Sequence, residues 1–124
     1  LPEVLRVELS GVPDARSWVV QSQEEWRSLW DSFPASEMGG RTLPVVDFAR
    51  DRVVVVTAGN GNSGWPVLTF AGYQARGDTT EVHVRSQACF AADDILQLLI
   101  AGRVPRRDGP VRVLRHHSTT GCDE

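Results

Sequence analysis

The chain has 124 residues, 41% hydrophobic and 23% charged, which suits one domain over residues 1–124 with a single core and excludes wholesale disorder. A formal net charge of −3 argues against a dedicated nucleic-acid binder, and all 13 basic residues are arginine, so chemistry that needs a lysine amine is excluded. Apolar runs such as Val53 to Val56 are far too short to cross a bilayer as a helix, so no transmembrane segment is expected.

Glu3 to Leu9 alternates in character and reads as a strand, with Leu5, Val7 and Leu9 on one side. Gly11-Val12-Pro13-Asp14 is a turn cluster and Ser17 to Val20 a second strand, so the chain is expected to open with a hairpin. Ser22 with Glu25 three residues on forms a capping box, and Trp26, Leu29, Trp30 and Phe33 follow at helical spacing. A helix is predicted from Gln23 to Phe33, stopped by Pro34, with Trp26 and Trp30 as core residues. Residues 34–44 read as a loop. Arg52 to Thr57 is a β-branched run apolar on both faces, hence a central strand. Residues 59–64 form a glycine-rich loop, Val67 to Ala71 a strand, and Arg76-Gly77-Asp78 a turn. Glu81 to Arg85 alternates with Val82 and Val84 inward.

Residues 94–104 fit a helix with Ile95, Leu98 and Leu99 on one face, or a strand with Leu96, Leu98, Ile100 and Val104 on one face. The strand is preferred, because Arg107-Asp108-Gly109 and the alternating Pro110 to Arg115 then complete a hairpin. The expected architecture is α+β, a mostly antiparallel sheet or sandwich of about seven strands with one amphipathic helix packed on a sheet face.

The two cysteines, Cys89 and Cys122, would pair in an oxidising compartment and would remain buried thiols in a reducing one. An exposed thiol near the chain end is oxidisable, which favours the disulfide and an extracytoplasmic location. Leu1 is not Met, and a signal segment or lipid anchor upstream of it is an expectation.

Several constellations invite a chemical reading. Gly59-Asn60-Gly61-Asn62-Ser63-Gly64 has dinucleotide-site spacing, but Trp65-Pro66 and an apolar strand follow where a helix is required. It reads as a loop, and no cofactor is expected. His83, His116, His117, Cys122 and Asp123 suggest a metal set, yet adjacent strand residues point to opposite faces, so no metal is expected. No serine sits in a nucleophile elbow and neither cysteine has a nucleophile's context, so no catalytic residue and no enzyme activity is expected. Asp47, between Val46 and Phe48 before a buried strand, is costly unless bonded, so Arg50, Arg52 or turn amides are its expected partners. Arg103, Arg106, Arg107, Arg112 and Arg115 form the largest like-charge group. With Trp65, the residues Arg103, Arg106 and Arg107 make the candidate surface for a protein partner.

Taken in order, Ser22-x-Glu24-Glu25-Trp26-x-x-Leu29-Trp30, Leu43-Pro44-Val45-Val46-Asp47-Phe48, the valine run, Gly64-Trp65 and Val104-Pro105-Arg106 before Pro110 resemble the PrcB-like (PrcB C-terminal) domain family. The resemblance spans about residues 11–115. Ser63-Gly64-Trp65 stands where that family usually has Gly-Gly-Tyr, and the tail from His116 to Cys122 fits no part of its pattern. It implies an exported bacterial protein, often a lipoprotein, that accompanies and stabilises a protease or other envelope complex. The expectation is a non-enzymatic accessory or binding module; the alternative is a small hydrolase or ligand-binding domain.

Overall fold

Four successive valines need cover on two sides, because neighbouring residues of a strand point to opposite faces. The computed structural model describes residues 2–9, 16–33, 42–57, 65–89 and 97–118. Along the chain run β1 (Glu3–Leu9), β2 (Ser17–Val20), α1 (Gln23–Asp31), β3 (Asp51–Thr57), β4 (Trp65–Arg76), β5 (Thr79–Cys89), β6 (Gln97–Pro105) and β7 (Val111–Ser118). They form one sheet ordered β1-β6-β3-β2 and a second ordered β4-β5-β7. Val53 and Val55 of β3 pack with Val7, Val20, Leu99, Ala101 and the helix residue Trp26. Val54 and Val56 pack instead with Leu68, Val82 and Val84 of the second sheet. The result is three layers, helix on sheet on sheet, with β3 and β6 apolar on both faces. Each fully buried valine contributes about 1.5–3 kcal/mol, set against the entropy of ordering it.

Serine chemistry starts the helix as expected. Glu25 N–H donates to Ser22 Oγ at 3.2 Å, and Gln21 N–H donates to Glu25 Oε1 at 3.0 Å. Trp26 is 2% exposed and its Nε1–H donates to the Pro44 carbonyl at 2.9 Å. Trp30 meets it edge to face at 6.2 Å but stays only partly buried.

Two expected hairpins are not formed. β1 pairs with β6 and β2 with β3, so the first two strands lie at opposite edges of one sheet. Residues 97–105 are a strand, as preferred, but β7 does not return beside it. β7 runs parallel to β5 in the other sheet, and residues 106–110 cross between layers. The physical reason is that alternation fixes which face of a strand is buried and leaves the partner open. Val104 of β6 and Val111 and Val113 of β7 look at one core from opposite layers, so both show the pattern of a hairpin without its hydrogen bonds. The remaining ladders are antiparallel, including the long β4–β5 hairpin that turns at Gly77-Asp78.

Candidate functional site

β2 is a short edge strand, and only Gln21 and Ser22 separate it from α1. The chain therefore lays the helix close to that edge. Between them opens a groove of about 540 Å³ lined by Trp18, Val19, Val20 and Leu29, with Glu24 and Glu25 on the helix side. Its walls come from the residues that continue the helix-side core outward, since Trp18 and Leu29 both pack against that cluster without being covered by it. Trp18 also meets Phe33 edge to face at 6.3 Å.

The hydrogen-bond phase of β2 adds to this. Thr57 N–H donates to the Arg16 carbonyl at 2.9 Å, and the register pairs Trp18 with Val55 and Val20 with Val53. Antiparallel strands exchange bonds at every second pair, so the N–H and C=O groups of Ser17 and Val19 face away from β3. Among the described elements no strand lies beyond that edge. The groove thus combines an apolar floor, a carboxylate flank and outward backbone donors and acceptors.

The arginines do different work from that expected of a free basic patch. Arg106 Nη1 donates to the carbonyls of Gln21 and Phe48 at 2.9 and 3.0 Å. Arg107 donates to the carbonyls of Gly77 and Thr79 at 2.8 and 3.3 Å. Arg103 sits 3.8 Å from Asp51. Arg6 donates to the Leu68 carbonyl at 3.0 Å and Arg115 to the Arg16 carbonyl at 2.8 Å, tying β1 to β4 and β7 to the start of β2. Burial lowers the pKa of Arg115. The guanidinium fork, rich in donors and lacking acceptors, suits carbonyls left over at sheet edges and crossovers.

Arg52 is the extreme case. It is 3% exposed and its Nη1 donates to the Gly109 carbonyl at 3.0 Å, while Nε and Nη2 find no acceptor among the described residues. Burial lowers its pKa first, and Arg106 and Arg107 add to that, against an opposing pull from Asp108.

The outer face of the β4–β5–β7 sheet is polar. Glu81 Oε1 accepts from Gln74 Nε2 at 3.1 Å and from Arg76 Nε at 3.0 Å. The Gln74 hydrogen bond, then that of Arg76, holds its carboxyl below the ordinary range despite an opposing effect of burial. Further along, His83 Nδ1 and His116 Nε2 approach to 2.8 Å across the β5–β7 ladder.

Asp47 finds the expected kinds of partner. Its Oδ1 accepts from Ala49 N–H at 3.1 Å, its carbonyl accepts from the N–H groups of Arg50 and Asp51, and Arg50 Nε lies 3.7 Å from Oδ2. It shapes the turn that delivers the chain into β3, with Val46 buried and Phe48 packed at the helix-side core. The backbone of Trp65 pairs with that of Cys89. The Trp65 and Cys89 side chains, the loop 59–64 and Cys122 lie outside the described residues, and the Cys89–Cys122 pairing with them. No described helix is long and apolar enough to cross a membrane.

The groove was the feature missed from sequence. Its signal was the two-residue spacing of Val20 and Ser22, which forces helix and edge strand together. Compared with protein-family models, curated protein sequences and solved structures, the chain matches none.

Proposed function

We propose that this domain is a non-enzymatic extracytoplasmic binding module whose docking site is the groove between α1 and β2. Its occupant is an extended segment of a partner protein that lies beside β2 as an added strand and carries basic residues. The observation that carries this reading is the coincidence of outward Ser17 and Val19 backbone groups with the apolar surface of Trp18 and Leu29. Strand addition draws affinity from main-chain hydrogen bonds and selectivity from alternate side chains. Selectivity here comes from charge. Glu24 and Glu25 flank the groove, and Glu24 is exposed without a cationic partner among the described residues. A protease or other envelope protein is the partner class that the motif resemblance favours.

A peptide of alternating valine and arginine, compared with its valine and glutamate counterpart, tests the site. In amide NMR the basic peptide is expected to shift Ser17 to Val20, Glu24 and Leu29 and to slow exchange at the Ser17 and Val19 amides. Glu24→Arg is expected to reverse the preference between the two peptides. Equal response to both peptides, or shifts confined to other faces, would refute the groove as the docking site.

A further inference from the structure

The 2.8 Å between His83 Nδ1 and His116 Nε2 accounts for ring centroids 5.1 Å apart only if the rings meet edge to edge, since each nitrogen stands one ring radius from its centroid. An interplanar angle of 16° makes them nearly coplanar. One ring donates N–H and the other accepts, so the two nitrogens face each other along one line between β5 and β7. From this geometry we infer that His83 and His116 form a two-nitrogen site for a borderline divalent transition-metal ion, of the nickel, copper or zinc type.

The ladder prepares the site. β5 and β7 are adjacent parallel strands, with His116 opposite Arg85 and His83 opposite Leu114. Val82 and Val84 are buried in the core, so His83 between them faces outward. Two metal–nitrogen bonds of about 2.0–2.1 Å at a tetrahedral angle place the nitrogens about 3.3 Å apart. On ligation the pair therefore opens by about half an ångström and each ring tilts by about 35°, so that both nitrogens aim at one ion beside the line joining them. The proton on the shared edge moves to the far nitrogen of its own ring, so each imidazole ligates while neutral and the pair loses no proton.

Among the described residues no three His, Cys, Asp or Glu side chains gather in one place. Water completes the coordination shell. Arg85 brings an adverse charge to this face, and Glu81, which is electrostatically coupled to His83 and held ionised by Gln74 and Arg76, brings an opposing one. Imidazole pairs select borderline ions over magnesium and calcium, which take oxygen ligands.

Calorimetric titration of chelator-treated protein with nickel and with magnesium is the test. One equivalent of nickel is expected to bind and magnesium is not. His83→Ala and His116→Ala are each expected to weaken nickel binding at least about tenfold. Copper added to the unaltered protein is expected to show two nitrogen ligands by electron paramagnetic resonance, a readout that needs no variant. Absence of nickel binding would overturn the site. So would binding that survives His83→Ala, or that is lost on thiol alkylation.

Discussion

Arg52 Nη1 and the Gly109 carbonyl, 57 residues apart in sequence, meet at 3.0 Å where β3 passes beneath the crossover of residues 106–110. That single bond joins the central strand of one sheet to the segment that carries the chain into the other. The same crossover is held from its other side by Arg107 on Gly77 and Thr79 and by Arg106 on Gln21 and Phe48. A five-residue connection between layers has few backbone partners of its own, and arginine supplies donors that reach from neighbouring elements.

Gly109 is required at its position. Its φ is +105°, and a Cβ there would collide with the Asp78 carbonyl of the β4–β5 turn. Gly77, also at positive φ (+63°), has open space around it. Gly109→Ala is therefore expected to destabilise the fold by clearly more than Gly77→Ala, for which about 1–2 kcal/mol of left-handed strain is the only cost. Urea denaturation of both variants checks this. Equal midpoints would mean that the crossover yields without cost.

Arg52 also makes a sharper prediction about charge. A buried guanidinium whose Nε and Nη2 find no acceptor among the described residues carries a desolvation penalty that one carbonyl does not offset. Arg52→Met keeps the stem and removes the charge, so its stability is expected to stay within about 1 kcal/mol of wild type or to rise. Arg52→Ala leaves a hole between the sheets and is expected to cost about 2–4 kcal/mol. If methionine proves as damaging as alanine, the Gly109 bond is worth more than the burial argument allows.

The parts of this fold legible in the sequence are those fixed by local periodicity. The Ser22 to Phe33 pattern marked the helix and its buried face, and Arg52 to Thr57 announced a strand covered on both sides. Strand partners were not legible. Val104, Val111 and Val113 have the same alternation whether they pair or face one another across a core, and Pro105 to Gly109 looks like a turn in either case. The arginine cluster was visible as a cluster, but its acceptors are main-chain carbonyls, which carry no letter. The groove was hidden for a related reason, because a free strand edge is a property of topology.

Trp26 and Trp30 separate two kinds of burial. Trp26 is 2% exposed and hydrogen-bonded to Pro44, whereas Trp30 packs at the margin of the same cluster. Trp26→Ala is expected to cost about 3–5 kcal/mol, and Trp30→Ala measurably less. Trp26→Phe retains most of the packing but leaves the Pro44 carbonyl without its donor, costing about 1–3 kcal/mol. Thermal and denaturant midpoints for the three variants give the order. A larger loss at Trp30 than at Trp26 would show that the helix is seated differently.

Glu81 ties acid sensitivity to the outer face of the β4–β5–β7 sheet. Its carboxyl is held below its ordinary value of 4.5, chiefly by the Gln74 hydrogen bond and then by Arg76. A carboxylate whose pKa is depressed by folding stabilises the protein above its unfolded value. That contribution is lost as pH falls through the lower folded value, because the proton then binds the unfolded chain more readily. Its window of loss lies below 4.5, and no loss from this group occurs on the alkaline side. Glu81→Gln cannot lose a charge there, so the stability difference between wild type and variant is expected to shrink as pH falls below that point. Denaturant midpoints taken near neutral pH and well below 4.5 provide the comparison. Arg76→Met supplies the second side of the cycle, because it removes one of the two donors while Gln74 remains. Its effect is expected to be the smaller, given that the charge of Arg76 sits on a side chain 71% exposed and is screened by solvent. A difference that stays constant across the acid range would mean that Glu81 is no better held in the folded chain than in the unfolded one.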